Sequence, residues 1–282
     1  IMPLNRREVL CYNVQLGAFS ELEILSDMIK KYKKPVHLTF NSLYYLPEQY
    51  LEIADIIRQC MSLGFRSYII ADPALLVYLR ENNVDCEIHL SGETGEVNSQ
   101  MANFFAEFGL KRLIFHRKNT FQDMASVTEK CKKISEFEAF ILNEQCQFTG
   151  AFCNSLHCDE MGYLCRVPYQ IGTISREEAE NATENLIAEV TETEKNYDDT
   201  GYLCGETGCG LCALYQLQKA GITHLKLVGR GNYVDYMEKD IRNLRKALDI
   251  LENAENEADF IHEMKKNIFS GGCSGNCYYY EK

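Results

Sequence analysis

Apolar and polar residues alternate in short runs along this chain, and longer stretches with apolar positions three and four apart lie between them. The runs are 8–13 ("EVLCYN"), 35–40 ("PVHLTF"), 66–72 ("RSYIIAD"), 86–91 ("CEIHLS"), 111–116 ("KRLIFH"), 137–142 ("FEAFIL") and 223–229 ("THLKLVG"). Their length and β-branched or aromatic content predict seven strands. Segments 20–34, 47–64, 73–83, 96–109 and 120–133 have helical spacing, and several end in Gly or Asn, as crossover helices do. The alternation predicts a parallel α/β fold. With an eighth strand expected between 171 and 204 or at the N-terminus, it suits a TIM-like (β/α) barrel, though periodicity leaves an open sheet as the alternative.

The rhythm breaks after Leu142. An insertion at 143–212 contains most of the cysteines, an acidic helix at 175–195 and the turn "YDDTGYLCGETG". Order returns with a long charged helix over 233–267 and a Gly-rich, Cys-bearing tail, so that 232–282 form a C-terminal helix and tail on a single domain spanning 1–282. In a barrel, insertions after strand C-terminal ends build the active face.

Composition narrows the class of protein. A net charge of -12 disfavours a large nucleic-acid footprint. No apolar run approaches the ~20 residues of a membrane span, and the N-terminus lacks a signal-peptide stretch. A cytoplasmic protein acting on a small molecule, with no membrane partner, is the expectation. Thirteen cysteines then call for an explanation. Cys11, Cys60, Cys86 and Cys131 sit in apolar or helical contexts and read as core thiols. The other nine lie between Cys146 and Cys277, and without a secretion signal such clustering points to metal or Fe–S ligation in a reducing or anaerobic setting.

Cys146, Cys153, Cys158 and Cys165 are more widely spaced than zinc-finger pairs, which favours a cluster cradled by a folded scaffold. The group Cys204, Cys209 and Cys212 can supply a distant ligand. Free structural thiols are the alternative. "CGLC" at 209–212 opens a helix, whose N-terminus would lower thiol pKa and allow a redox dithiol. Cys273 and Cys277 could fold back to make a second metal site with Cys212 or Cys209.

Ordered motifs carry a family resemblance. "CGLCALYQLQKAGITHLKLVGRGNYVDYMEKDIRNLRKALD", "VHLTFNSLYY", "EIHLSGETGEVNSQMANFFAEFGLKRLIFHRKNTFQDM", "FEAFILNEQCQFTGAFCNS" and "CRVPYQI" together resemble the peptidase U32 family over most of the chain. The resemblance implies a TIM-like barrel with a [4Fe–4S] cluster held by Cys146, Cys153, Cys165 and Cys209, with Cys158 and Cys204 in reserve. Two departures stand out: the family's "KIEGR" reads "KLVGR", placing Val228 at the acidic position, and "REL" reads "RKN", leaving Arg117 without its following Glu.

The family name records proteolysis, but the sequence shows no nucleophile, base and orienter set, no HExxH and no GxSxG. Other members are oxygen-independent hydroxylases acting on ubiquinone precursors or RNA bases, which implies prephenate as an oxygen donor. On that resemblance Arg117 and Arg230 would each bind a carboxylate, Lys226 would neutralise developing charge, and His89 or His116 would move protons. A non-catalytic Fe–S partner of a paralogous U32 subunit is the second class of function.

Overall fold

The computed structural model describes residues 19–94, 98–145, 197–229 and 232–279. Helices and strands alternate: α1 (Phe19–Tyr32), β1 (His37–Phe40), α2 (Gln49–Ser62), β2 (Ser67–Ile70), α3 (Pro73–Glu81), β3 (Glu87–Leu90), α4 (Ser99–Ala106), β4 (Leu110–Ile114), α5 (Phe121–Lys130) and β5 (Glu136–Leu142). After the cysteine-rich segment come α6 (Leu214–Lys219), β6 (His224–Leu227), α7 (Val234–Asn253) and α8 (Glu257–Asn267). These six strands match six of the seven read from the sequence. The seventh, 8–13, the acidic helix at 175–195 and any strand between 171 and 196 lie outside the described residues.

All strand pairings are parallel, in the order β1-β2-β3-β4-β5-β6. Parallel crossovers are right-handed, so strands added always on the same side place their helices on one face of the sheet. A doubly wound sheet would reverse direction at a switch point, and this one does not. The result is a half-barrel, six strands curled with helices outside.

Short polar caps start the helices that follow the strand ends. Asp72 accepts from the Ala74 amide at 2.8 Å ahead of Pro73, Asn98 accepts from the Gln100 and Met101 amides, and Thr120 and Asp123 form a capping box. The charged helix expected over 233–267 is two helices. Ala254 turns extended, and Asn256 caps α8 by accepting from the Asp259 amide at 3.0 Å, a local bond that competes with helix continuation.

Side chains alternate across each strand, and the two faces differ in kind. Leu38, Phe40, Tyr68, Ile70, Ile88, Leu90, Leu113, Phe137, Ala139 and Ile141 join the large core under the helices. The opposite face, the inside of the half-barrel, carries His37, Ser67, His89, Arg112, Glu138 and Lys226. A small second cluster of Ile114, Phe140 and Tyr278, with Ile69 and Val228 against it, lies on that side. Among the described residues no helix is long and apolar enough to cross a membrane.

Candidate functional site

Polar partners pair from strand to strand along the inner face. His37 Nδ1 lies 2.5 Å from Ser67 Oγ, the His37 and His89 rings are 4.6 Å apart, and His89 Nε2 is 2.8 Å from Glu87. Arg112 bridges Glu136 and Glu138, each at 2.8 Å, and Lys226 Nζ stands 3.8 Å from Glu138. Burial alone would raise the Glu136 pKa, but hydrogen bonds from Arg112 and Lys111 outweigh it and bring the carboxyl to about 2. Burial lowers His89 to about 4 against the opposing pull of Glu87, so the ring is neutral at neutral pH. Its Nε2–H then donates to the carboxylate, and Nδ1 has no hydrogen-bond partner. Arg112, Glu136 and Glu138 were missed in the sequence. Their signal is the pair of carboxylates at alternate positions of "EFEAFIL", with apolar neighbours facing the helices, and the Arg that enters the apolar run of "KRLIFH".

Two inner-facing positions beyond Glu136 on β5 stands Phe140, at the C-terminal mouth of the sheet. Arg117 Cζ lies 3.8 Å from the Phe140 ring centroid and Lys226 Nζ lies 5.2 Å from it. The Arg117 side chain is only 10% exposed, its Nε has no hydrogen-bond partner, and its ion pair with Glu93 spans 3.6 Å. Glu93, on a 3-10 turn after β3, thus brings a carboxylate near Arg117 in a chain that lacks one at the following position. Val228, at the other departure, packs against the apolar cluster. The structure therefore brings Arg117 and Lys226 together on one ring. It keeps His89 deeper in the half-barrel, and Arg230 lies outside the described residues.

Beyond β5 the chain enters the cysteine-rich segment, and here three distant stretches are laced together. The Asn143 amide donates to Gly208 O (2.8 Å), Gln145 N to Thr207 O (2.6 Å) and Gly210 N to Ile141 O (2.7 Å). Cys209 bridges to Leu142 on one side and to Cys277 of the tail on the other. Asp240 of α7, buried, accepts from Asn143 Nδ2 and from the Tyr202 hydroxyl, each at 2.7 Å, and so ties α7 to both stretches.

The tail folds back, one of the two arrangements its sequence allowed, and Cys277 meets Cys209 of the 204–212 loop. Burial, then Cys204, pushes the Cys209 pKa well up, with Cys212 and Cys277 adding to it. Cys212 rises to about 11 through burial and then the neighbouring Cys277 and Cys273. The helix N-terminus expected to lower the "CGLC" thiols is weak here. Cys212 sits on a 3-10 turn before the six-residue α6, and desolvation together with neighbouring thiols outweighs so short a dipole.

Thiols that repel one another's ionisation in this way favour a soft cation that would displace their protons, so the donor chemistry fits a thiolate-bound metal. Among the described residues, no three His, Cys, Asp or Glu side chains stand in metal-holding geometry. Cys146, Cys153, Cys158 and Cys165 lie outside the described residues. The chain reaches the first of them from Gln145, whose side chain donates to Cys277 O at 2.9 Å. Cys60, Cys86 and Cys131 are buried core thiols, as read from their contexts, and Cys11 lies outside the described residues.

Comparison with known proteins gives one family and a few distant relatives. The family model described as peptidase family U32 matches residues 12–282. The chain is 31% identical over 85 residues to tRNA hydroxylation protein P of Haemophilus influenzae, covering 30% of this chain and 18% of that protein. It is 25% identical over 97 residues to the Escherichia coli protein of the same name, covering 34% and 21%. The match thus spans about a fifth of each curated relative. A solved structure, that of the U32 peptidase Mk0906, is similar over 47% of this chain and 56% of its own, with 15% identity and a TM-score of 0.39.

Proposed function

Because the chain belongs to peptidase family U32, we propose that it is an iron–sulfur protein of that family, acting as an oxygen-independent hydroxylase on a small or modified substrate. The observation that supports this most is the position of the Arg117 and Lys226 pair. It lies against Phe140 and shares its apolar cluster with Tyr278, the residue next to Cys277 in the thiol-bearing tail.

A [4Fe–4S] cluster held by Cys146, Cys153, Cys165 and Cys209 would supply one-electron redox chemistry at this mouth. The chain's own residues do the rest. Arg117 holds a carboxylate by the planar two-point grip of guanidinium, Lys226 adds a second positive charge, and Arg230 is assigned to a second carboxylate. Ile114, Phe140 and Val228 keep water from the site, which strengthens each of these contacts. His89, neutral and bound to Glu87, acts as a proton acceptor rather than as a stored acid.

On this reading the half-barrel belongs to a TIM-like barrel, and the protein works in the cytoplasm, with a paralogous U32 subunit as a partner. Cys212, Cys273 and Cys277 are assigned to a second metal site. The relatives' name points to tRNA. A chain of net charge -12 is better suited to a small anion held at a buried mouth, with prephenate as the first ligand to try. Proteolysis has less support: among the described residues His37 and Ser67 are paired at 2.5 Å, but no hydrogen bond from a third group orients the His37 ring as a proteolytic base requires.

Thermal-shift titration with prephenate tests the site, because a ligand that binds only the native state raises Tm with concentration. A rise in wild type that is lost in Arg117→Lys supports the arginine grip. No rise in wild type removes prephenate, and equal rises in both remove Arg117 from its binding.

A further inference from the structure

We propose that Glu93 sets which acids this mouth holds: it is a built-in carboxylate that occupies Arg117 until the carboxylate of a ligand displaces it. The proposal rests on the reading above only for the identity of that ligand.

Two pinned turns bring the pair together. Gly92, buried, passes so close to the end of β4 that a Cβ there would lie 3.0 Å from Phe115 O and 3.4 Å from Ile114 O. The turn that carries Glu93 is therefore seated directly against the strand that leads to Arg117. Its other side is tied down as well, because Thr94 Oγ1 donates to Ala71 O at 3.0 Å and Thr94 N to Ser91 O at 3.1 Å. The Glu93 amide donates to Ser91 Oγ at 3.2 Å. Across the mouth, buried Asn119 accepts from the His116 amide at 3.0 Å, and the Lys118 amide donates to His116 Nδ1 at 3.1 Å, so the backbone is held on both sides of Arg117. With both backbones held, rotation of the side chains is what makes or breaks the pair.

The contact itself is incomplete. Arg117 Nη1 stands 3.6 Å from Glu93 Oε1, well beyond the roughly 2.7–2.9 Å of a charge-assisted hydrogen bond. Arg117 Nε, buried, has no hydrogen-bond partner, while the guanidinium lies over the Phe140 ring. Buried donors are ordinarily matched, so this one marks a place for an acceptor. The two side chains also differ in exposure, 10% for Arg117 against 25% for Glu93. A displaced Glu93 has water to turn to, whereas Arg117 has none. The exchange replaces a loose one-point contact by a two-point grip and returns one carboxylate to solvent.

Every incoming acid must displace Glu93, and that sets a threshold. A monocarboxylate trades one carboxylate on Arg117 for another and gains only the better geometry, so it is held weakly. A ligand whose second acidic group reaches Lys226, 5.2 Å from the centroid of the same Phe140 ring, adds a charge contact that Glu93 does not offer. Glu93 thereby works as a repulsive element against simple acids, in a chain that lacks a carboxylate directly after Arg117.

Isothermal titration calorimetry on the full chain tests this, with benzoate as a simple monocarboxylate and prephenate as the dicarboxylate. Glu93→Gln keeps the shape of the side chain and removes its charge, and it should tighten both acids about tenfold, the low end for a close charge pair. With Arg117→Gln also in place the gain should vanish, since the two residues then no longer interact. The same gain without Arg117 would mean that Glu93 acts through its field and not by occupying the arginine, and would overturn the proposal. Neither acid binding Glu93→Gln more tightly than wild type overturns it too.

Benzoate tightening in Glu93→Gln while prephenate binds neither protein would support Glu93 and remove prephenate from the reading above. Should Glu93→Gln fail to fold, Glu93→Asp decides. It keeps the charge but withdraws the carboxylate from Arg117 by one methylene, so benzoate should bind it more tightly than wild type, and equal affinities would refute displacement.

Discussion

The two faces of one sheet are built on different principles from alternate residues of the same strands. Toward the helices, Ile70, Ile88, Leu113 and Ala139 are held by nondirectional apolar contact, which tolerates exchange for another side chain of similar volume. Inside the half-barrel, Glu87 and His89, then Arg112 with Glu136 and Glu138, then Lys226 are held by named partners at fixed distances. Each inner residue therefore depends on another for its solvation. The contrast shows where the chain tolerates change and where it has committed polar groups to a site.

The strongest way to break the contrast is Arg112→Ala, which leaves Glu136 and Glu138 without their shared cation. The expected cost is about 3–5 kcal/mol, whereas Ile57→Val on the outer side should cost only ~1 kcal/mol. Urea denaturation of both variants measures the difference. Equal costs would mean that the inner ion pairs contribute nothing specific.

A smaller effect sharpens the comparison through pH. His89 in the folded protein has a pKa lowered to about 4 by burial, below its ordinary value of 6.5. The unfolded chain takes up that proton first, so stability complete above pH 6.5 is lost as pH falls toward about 4. His37 is lowered in the same direction, first by burial and then by Arg112. Glu136, depressed from 4.5 to about 2 because the Arg112 and Lys111 hydrogen bonds outweigh burial, extends the loss from pH 4.5 downward. Tm should thus decline steadily from pH 7 to pH 4, and His89→Phe should flatten the part above pH 4.5. A wild-type Tm that rises on acidification would contradict both assignments.

Much of the outer face could be read in the sequence, because its signal is periodic. The six described strands and their crossover helices fall close to the expected spans, and Asp72 before Pro73 marks a helix start by composition alone. The break at Ala254–Asn256 was not legible, because helical spacing continues across it and a single capping bond decides the matter. The inner ladder was overlooked because its charges alternate with apolar residues that already account for the strands. Within the site, Arg117 and Lys226 were named from motifs and are brought together on Phe140. Tyr278 could not have been found that way, since its place is set by a main-chain bridge between Cys209 and Cys277, and such a bridge leaves no pattern in side-chain type. Asp240 reads as one more charge on a charged helix, and only the structure shows it buried between Asn143 and Tyr202.

The account stands or falls on the thiols. Iron and acid-labile sulfide should be measured on anaerobically purified protein, for wild type, Cys209→Ala, Cys146→Ala and the core control Cys60→Ala. The account predicts about four irons and four sulfides per chain, as one cubane cluster requires, lost in the first two variants and kept in Cys60→Ala. Zinc without sulfide in wild type, or iron and sulfide undiminished in Cys209→Ala and Cys146→Ala, would contradict it.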